Sequence, residues 1–163
     1  MKMIIHSHIM SSGIARIDRT RAVGHGKVEK RVSMQAKKTR QRDAIRAAFE
    51  AAGRPLSTEE VLDSAQQQVE GLGIATVYRN IRSLVDEGWL VTVELPGQSP
   101  RYELSGKGHH HHFQCNGCGS VYELQGCVGS FHNMIPRGFL VTEHEVLLYG
   151  MCGGCRSTGR AKG

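Results

Sequence analysis

Thr76-Val-Tyr-Arg-Asn-Ile-Arg-Ser-Leu-Val-Asp-Glu-Gly-Trp-Leu-Val-Thr-Val-Glu-Leu95 reads as a helix that stops and becomes a strand. Val77, Ile81, Leu84 and Val85 recur at helical spacing and make one apolar stripe, and Gly88 ends the pattern. The other face offers Tyr78, Arg79 and Arg82. Trp89–Leu95, the turn signal Pro96-Gly97 and Arg101-Tyr-Glu-Leu104 then predict a β-hairpin. Upstream, Ser57-Thr-Glu-Glu60 is a capping box that opens a helix with Val61, Leu62, Ala65 and Val69 on one face. Gly71 and Gly73 close it. Before that, Ile45, Ala48, Phe49 and Ala52 predict a helix running from Thr39 to the breakers Gly53 and Pro55. Three helices followed by a hairpin is the order of a winged helix-turn-helix. The third helix would then present Tyr78, Arg79 and Arg82 to the major groove. The plainer alternative is an ordinary exposed face, because Arg and Tyr are common there.

The charge distribution adds to this. The net charge of +6 is uneven: residues 1–42 hold 11 of the 21 Lys and Arg but only 2 of the 15 Asp and Glu. The basic character belongs to the N-terminal segment, which can favour nucleic acid or simply be a solvated extension. Residues 1–36 show no sustained periodicity and are expected to be a disordered basic tail. Met34 opens an alternative shorter chain, which would make the first 33 residues a start-site extension. The opening Met1–Met10 is a poor signal peptide, because His6 and His8 interrupt it. No apolar run approaches the roughly 18 residues of a membrane helix. A cytoplasmic protein is expected, in which thiols stay reduced and clustered cysteines favour metal over disulfide.

Downstream of Ser105-Gly-Lys-Gly108, a hinge candidate, the sequence predicts strands at His109–Gln114, Ser120–Leu124 and Phe139–Tyr149, a short helix near Cys127–Ile135, and a polar tail after Arg156. Two Cys-x-x-Cys pairs bracket this part, Cys115/Cys118 and Cys152/Cys155. Each pair sets two sulfurs on one side of an ion, and two pairs complete the tetrahedron of a structural Zn²⁺ site. A redox dithiol would usually occur once, inside a βαβ pattern that is absent here. The run His109-His110-His111-His112 precedes the first pair. Side chains alternate along a strand, so His109 and His111 share one face and His110 and His112 the other. One run could thus serve two metal sites. Further candidates are Glu103, Glu123, Cys127, His132 and His144, each an ordinary side chain when taken singly.

Four stretches together carry a resemblance: Thr39-Arg-Gln-Arg42, Gly73-Ile-Ala-Thr-Val-Tyr-Arg79, His109–Cys118, and Glu143-His-Glu-Val-Leu-Leu-Tyr-Gly-Met-Cys152. Over about Thr39–Arg156 the chain resembles the ferric uptake regulator family of bacterial metal-sensing repressors. The resemblance implies an α+β protein: a winged-helix DNA-binding domain over 37–104, a hinge at 105–108, and a small α/β dimerisation domain over 109–156 with a four-cysteine zinc site, followed by a tail at 157–163. It implies a non-enzymatic homodimer that binds a double-stranded DNA operator through Tyr78, Arg79 and Arg82, with Thr39, Arg40 and Arg42. Carried over by position, Glu103, His110, His112 and Glu123 would hold the regulatory ion, Zn²⁺ or Fe²⁺. In many members a His just before the second helix completes that site; here the position is Pro55, between Arg54 and Leu56. The second site would use His109, His111, Cys127 and His144, with a short deletion before Cys127. Imidazole and thiolate in place of oxygen ligands favour zinc over iron or manganese. The resemblance therefore leans towards the zinc uptake regulator branch, with an iron-responsive or peroxide-sensing member as the alternative. Two other classes are a zinc hydrolase, which needs an open coordination position, and a zinc module that binds no DNA.

Overall fold

A computed structural model describes residues 25–127 and 134–159. The chain divides into two units, Met1–Gln35 and Ala36–Gly163. Among the described residues the first contributes only the opening turns of helix α1 (His25–Ala52). The predicted disorder over 1–36 is therefore corrected from His25 onward, while residues 1–24 lie outside the described residues. The cause is legible afterwards. Residues 28–38 are mostly straight-chain helix formers, and Val28 and Val32 on them are exposed, so no buried stripe marks the helix in sequence.

In the second unit α1 buries Ala44, Ile45, Ala48 and Phe49 against α2 (Thr58–Gln66), α3 (Ile74–Asp86) and strand β1 (Leu90–Val93). The capping box forms as predicted. The Glu60 amide donates to Ser57 Oγ at 3.2 Å, and the Ser57 amide donates to the Glu60 carboxylate at 2.8 Å. Val77, Ile81 and Leu84 are the buried stripe of α3. That helix ends in a Schellman motif. Gly88 takes φ +72°, a left-handed conformation that favours glycine, and the Trp89 amide reaches back to the Leu84 carbonyl at 2.9 Å. This turn delivers the chain into β1, which pairs antiparallel with β2 (Arg101–Leu104). Leu56 bridges to Tyr102 and adds a rung on the far side. Helices α1–α3 and the β1–β2 hairpin are the winged helix-turn-helix the sequence predicts.

The remainder is a three-stranded sheet ordered β4-β3-β5, made of β3 (His111–Cys115), β4 (Val121–Leu124) and β5 (Leu147–Gly150). β3 pairs antiparallel with β4 and parallel with β5. The strand predicted over Phe139–Tyr149 is shorter than expected, because its partner β3 has only five residues to offer. Residues 139–146 have no regular structure. A short helix, α4 (Gly153–Thr158), replaces the start of the predicted polar tail and is capped by Cys152. The helix predicted near Cys127–Ile135 falls largely outside the described residues, as do residues 160–163. Val93 and Leu95 of the wing pack on Val121 and Leu147 of the sheet.

Candidate metal centres and nucleic-acid face

Because β3 is the central strand, its two ends organise the chemistry. At its C-terminal end Cys115 lies in register with Gly150 of β5, and the Asn116 amide donates to the Gly150 carbonyl at 2.6 Å. That pairing sets Cys152, two residues beyond Gly150, beside the Cys115–Cys118 turn. Gly119, at φ +76°, closes the turn and feeds β4. The four sulfurs of Cys115, Cys118, Cys152 and Cys155 all lie within 4.8 Å of one another. The amides of Cys152 and Gly117 donate to Cys115 Sγ at 3.2 and 3.3 Å. Backbone N–H groups aimed at this sulfur, foremost that of Cys152, bring its pKa down to about 6. Burial pushes the Cys155 thiol up to about 12, reinforced by the neighbouring thiols. One sulfur is prepared as a thiolate, and the last resists ionisation unless a cation arrives. That donor set and its closure fit a tetrahedral Zn²⁺.

At the N-terminal end of β3 the histidines alternate as predicted, although only His111 and His112 belong to the strand itself. The rings of His109 and His111 stack edge to face on one side, 4.6 Å between centroids, and those of His110 and His112 do so on the other at 5.0 Å. On the first side, His109, His111, Cys127 and His144 bring their ligand atoms within 4.8 Å of one another. His144 Nε2 lies 3.1 Å from His109 Nε2 and 3.0 Å from Cys127 Sγ. His111 is 4% exposed, and neither of its ring nitrogens has a hydrogen-bond partner among the described residues. Burial, with His109 and His144 nearby, lowers its pKa and keeps it neutral, the form that ligates metal. An orphaned buried imidazole facing two further imidazoles and a thiol fits a divalent transition metal.

On the second side, Glu103 of β2 meets His110 and His112. Its Oε1 lies 2.9 Å from His110 Nε2 and 3.5 Å from His112 Nε2, the latter too far for a directed hydrogen bond. His110 Nδ1–H donates to the Gly108 carbonyl at 2.8 Å, which fixes the tautomer and aims Nε2 inward. Burial would raise the Glu103 pKa, but His112, Lys107 and His110 around it hold it down to about 2. Glu123, the fourth residue predicted here, stands outside the cluster. Its carboxylate is bonded to Lys107, whose ammonium also donates to Glu103 Oε2 at 3.0 Å. Sequence reasoning missed Lys107. Pro55 is buried in the core and offers no donor. Arg54 donates to Glu60 at 2.8 Å and lies 5.7 Å from the Tyr122 ring centre. Arg101 is also bonded to Glu60 and donates to the Gly119 carbonyl at 2.7 Å, so these two arginines tie the winged helix to the Cys-x-x-Cys turn.

On the winged helix, Tyr78, Arg79, Arg82 and Val85 of α3 line a groove of about 420 Å³ with Thr92 and Tyr102 of the wing. Tyr78 is half exposed, and Arg79 is braced by a 3.0 Å bond to Thr76 Oγ1. Thr39 and Arg40 are exposed on α1. Arg42 behaves differently: its guanidinium is engaged with Ser83 at 3.2 Å and with Glu87, stapling α1 to α3. His132 lies outside the described residues. No described helix is long and apolar enough to cross a membrane.

Comparison with known proteins follows the same lines. The ferric uptake regulator family matches residues 33–149. The ferric uptake regulation protein of Campylobacter jejuni is 33% identical over 89 residues, 53% of this chain and 57% of that protein, so the chain spans little more than half of that relative. The zinc uptake regulation protein of Mycobacterium tuberculosis is 30% identical over 122 residues, 73% of this chain and 94% of that protein. Among solved structures, the Helicobacter pylori ferric uptake regulator, with three functional metal binding sites, aligns at a TM-score of 0.56 and 25% identity over 80% of this chain and 93% of its own.

Proposed function

This chain belongs to the ferric uptake regulator family, and we propose that it is a cytoplasmic homodimeric repressor that binds operator DNA when loaded with zinc and so controls zinc uptake genes. The observation that carries the reading is the sharing of one histidine run between two clusters on opposite faces of β3, one of which joins the wing residue Glu103 to the sheet. A bound divalent ion would supply a positive centre common to Glu103, His110 and His112. Glu103 moves with the winged helix, and His110 and His112 move with the sheet, so their convergence fixes the angle between the two parts. Loading favours that arrangement only by the difference in affinity for it and for its alternatives. The four-cysteine cluster would hold structural zinc, and Tyr78, Arg79 and Arg82 would meet the major groove.

Support for the dimer comes from the exposed apolar side chains Phe139, Leu140, Val141, Leu148 and Tyr149, grouped along the edge strand β5 and the segment leading to it. Support for zinc comes from Cys127, His109, His111 and His144, a set with no oxygen ligand.

The test begins with duplexes selected from a random pool by the zinc-loaded chain. The affinity of a selected duplex is then titrated against zinc, ferrous iron and manganese. Zinc should tighten binding most, and Tyr78→Ala/Arg79→Ala should abolish it. A stronger response to ferrous iron would make the chain an iron regulator. Failure to select any duplex would leave a zinc module that does not bind DNA.

A further inference from the structure

We propose that Lys107 sets the metal preference of the Glu103/His110/His112 cluster by holding Glu123 out of it. The proposal rests on reading that cluster as a divalent-cation site. Two carboxylates stand within reach of it, and the structure treats them differently. Glu103 is 3% exposed and divides its oxygens. Oε1 faces the two imidazoles, and Oε2 accepts from Lys107 Nζ at 3.0 Å. Glu123 sits directly opposite His112 in the β3–β4 ladder, the right place for a fourth ligand. Both of its oxygens are already engaged, Oε2 with Lys107 and Oε1 with Gln125. The ligand atoms of Glu103, His110 and His112 converge within 4.8 Å, and Glu123 is not among them.

The side chain responsible is enclosed. Lys107 is only one-fifth exposed, and its ammonium has two carboxylate partners, so releasing Glu123 would leave one of them without its cation. The chemical consequence concerns ligand type. Two imidazoles and one carboxylate form a compact three-donor set that suits a tetrahedral ion completed by one further ligand. Adding Glu123 would supply a second hard oxygen and raise the ligand number, which favours Mn²⁺ and Fe²⁺ relative to Zn²⁺. The ammonium also repels every divalent ion alike, so it lowers absolute affinities without changing their ratio. The ratio is therefore the quantity to measure.

The experiment uses the full chain, with the other histidine cluster silenced by His144→Ala. Zn²⁺ and Mn²⁺ affinities are measured by chelator competition in the absence of DNA. Lys107→Met should raise Mn²⁺ affinity on the order of tenfold more than Zn²⁺ affinity. Glu123→Gln should change neither metal by more than about twofold when Lys107 is present, yet erase the Mn²⁺ gain in the Lys107→Met background. Lys107→Arg, which keeps charge and reach, should keep the parent ratio. The proposal is overturned if Glu123→Gln alone weakens binding as much as His112→Ala, because Glu123 would then be a ligand already. It is equally overturned if Lys107→Met strengthens both metals by the same factor, or if neither protein takes up an ion that His112→Ala removes. Because no DNA is present, a failure of the repressor reading at the operator would leave this result intact.

Discussion

The four-cysteine cluster and the Glu103/His110/His112 cluster lie at opposite ends of the same strand, yet they are built to different standards. The cysteine donors come from the C-terminal end of the sheet and the short helix that follows it: β3 and its turn deliver Cys115 and Cys118, and β5 leads directly into Cys152, the cap of α4, which carries Cys155. None of these donors comes from the winged helix. The other cluster takes one donor from the wing and two from the histidine run, with a lysine engaged beside them. In the proposed reading the first arrangement would hold a fold together, and the second would report whether two parts of the molecule are in a particular relation. Donor chemistry follows the same division: four thiols make a tight, closed site, whereas imidazole and carboxylate make one that can fill and empty.

The most severe way to break this comparison is Cys115→Ser. If the four-cysteine site is structural, the substitution removes a large part of the roughly 10–16 kcal/mol that such zinc sites contribute to folding. The sheet should lose cooperative unfolding and become protease-sensitive, while the helices of the winged helix persist. A folded Cys115→Ser dimer with its zinc retained would erase the distinction. The next effect is smaller and of another kind. His110→Ala/His112→Ala should leave thermal stability and the thiolate-bound zinc nearly unchanged, but reduce the metal enhancement of DNA binding, typically about 5–150-fold for such couplings, to near one. An unaltered metal response would move the switch elsewhere.

The sequence disclosed the four-cysteine cluster more fully than the Glu103/His110/His112 cluster, for a physical reason. Cys-x-x-Cys is a local geometry, and so are the capping box at Ser57/Glu60 and the stripe Val77/Ile81/Leu84; each can be read within a few residues. The alternation of His109 to His112 is local too, and the structure sorts the four onto two faces as the pattern predicts. Cys127 meets His109, His111 and His144 as well, a grouping that only the resemblance implied, since taken singly Cys127 was an ordinary candidate. What escaped were matters of tertiary competition. Whether Glu123 joins Glu103 depends on where the Lys107 ammonium settles, which no periodicity encodes. The pairing of Arg42 with Glu87, 45 residues away, is equally invisible to periodicity. The N-terminal reach of α1 escaped because residues 28–40 are exposed all round, and such a stretch shows no apolar period.

The smallest effect concerns the arginine tie between the winged helix and the sheet. Arg54 and Arg101 both bond Glu60, and Arg101 also reaches the Gly119 carbonyl beside Cys118. Burial would raise the Glu60 pKa, but the Arg54 hydrogen bond, the Ser57 amide and the two guanidinium charges outweigh it and hold it below the ordinary carboxylate value. A depressed folded pKa gives stability that is complete above the unfolded pKa and is lost only as pH falls through the lower folded value. The Glu60 side chain is 27% exposed, so solvent screening limits the contribution, and Glu60→Gln should cost roughly 1 kcal/mol at neutral pH. Zinc held by the four cysteines would answer to protons earlier, because protons compete with the metal for the thiolates. Acid titration should therefore resolve two steps, zinc release followed at lower pH by loss of helix signal. Glu60→Gln should weaken the winged helix above the second step while leaving the pH of zinc release where it was. If helix loss and zinc release coincide in the parent chain, the winged helix draws its stability from the four-cysteine site, and the two regions are one cooperative structure rather than a scaffold and a switch.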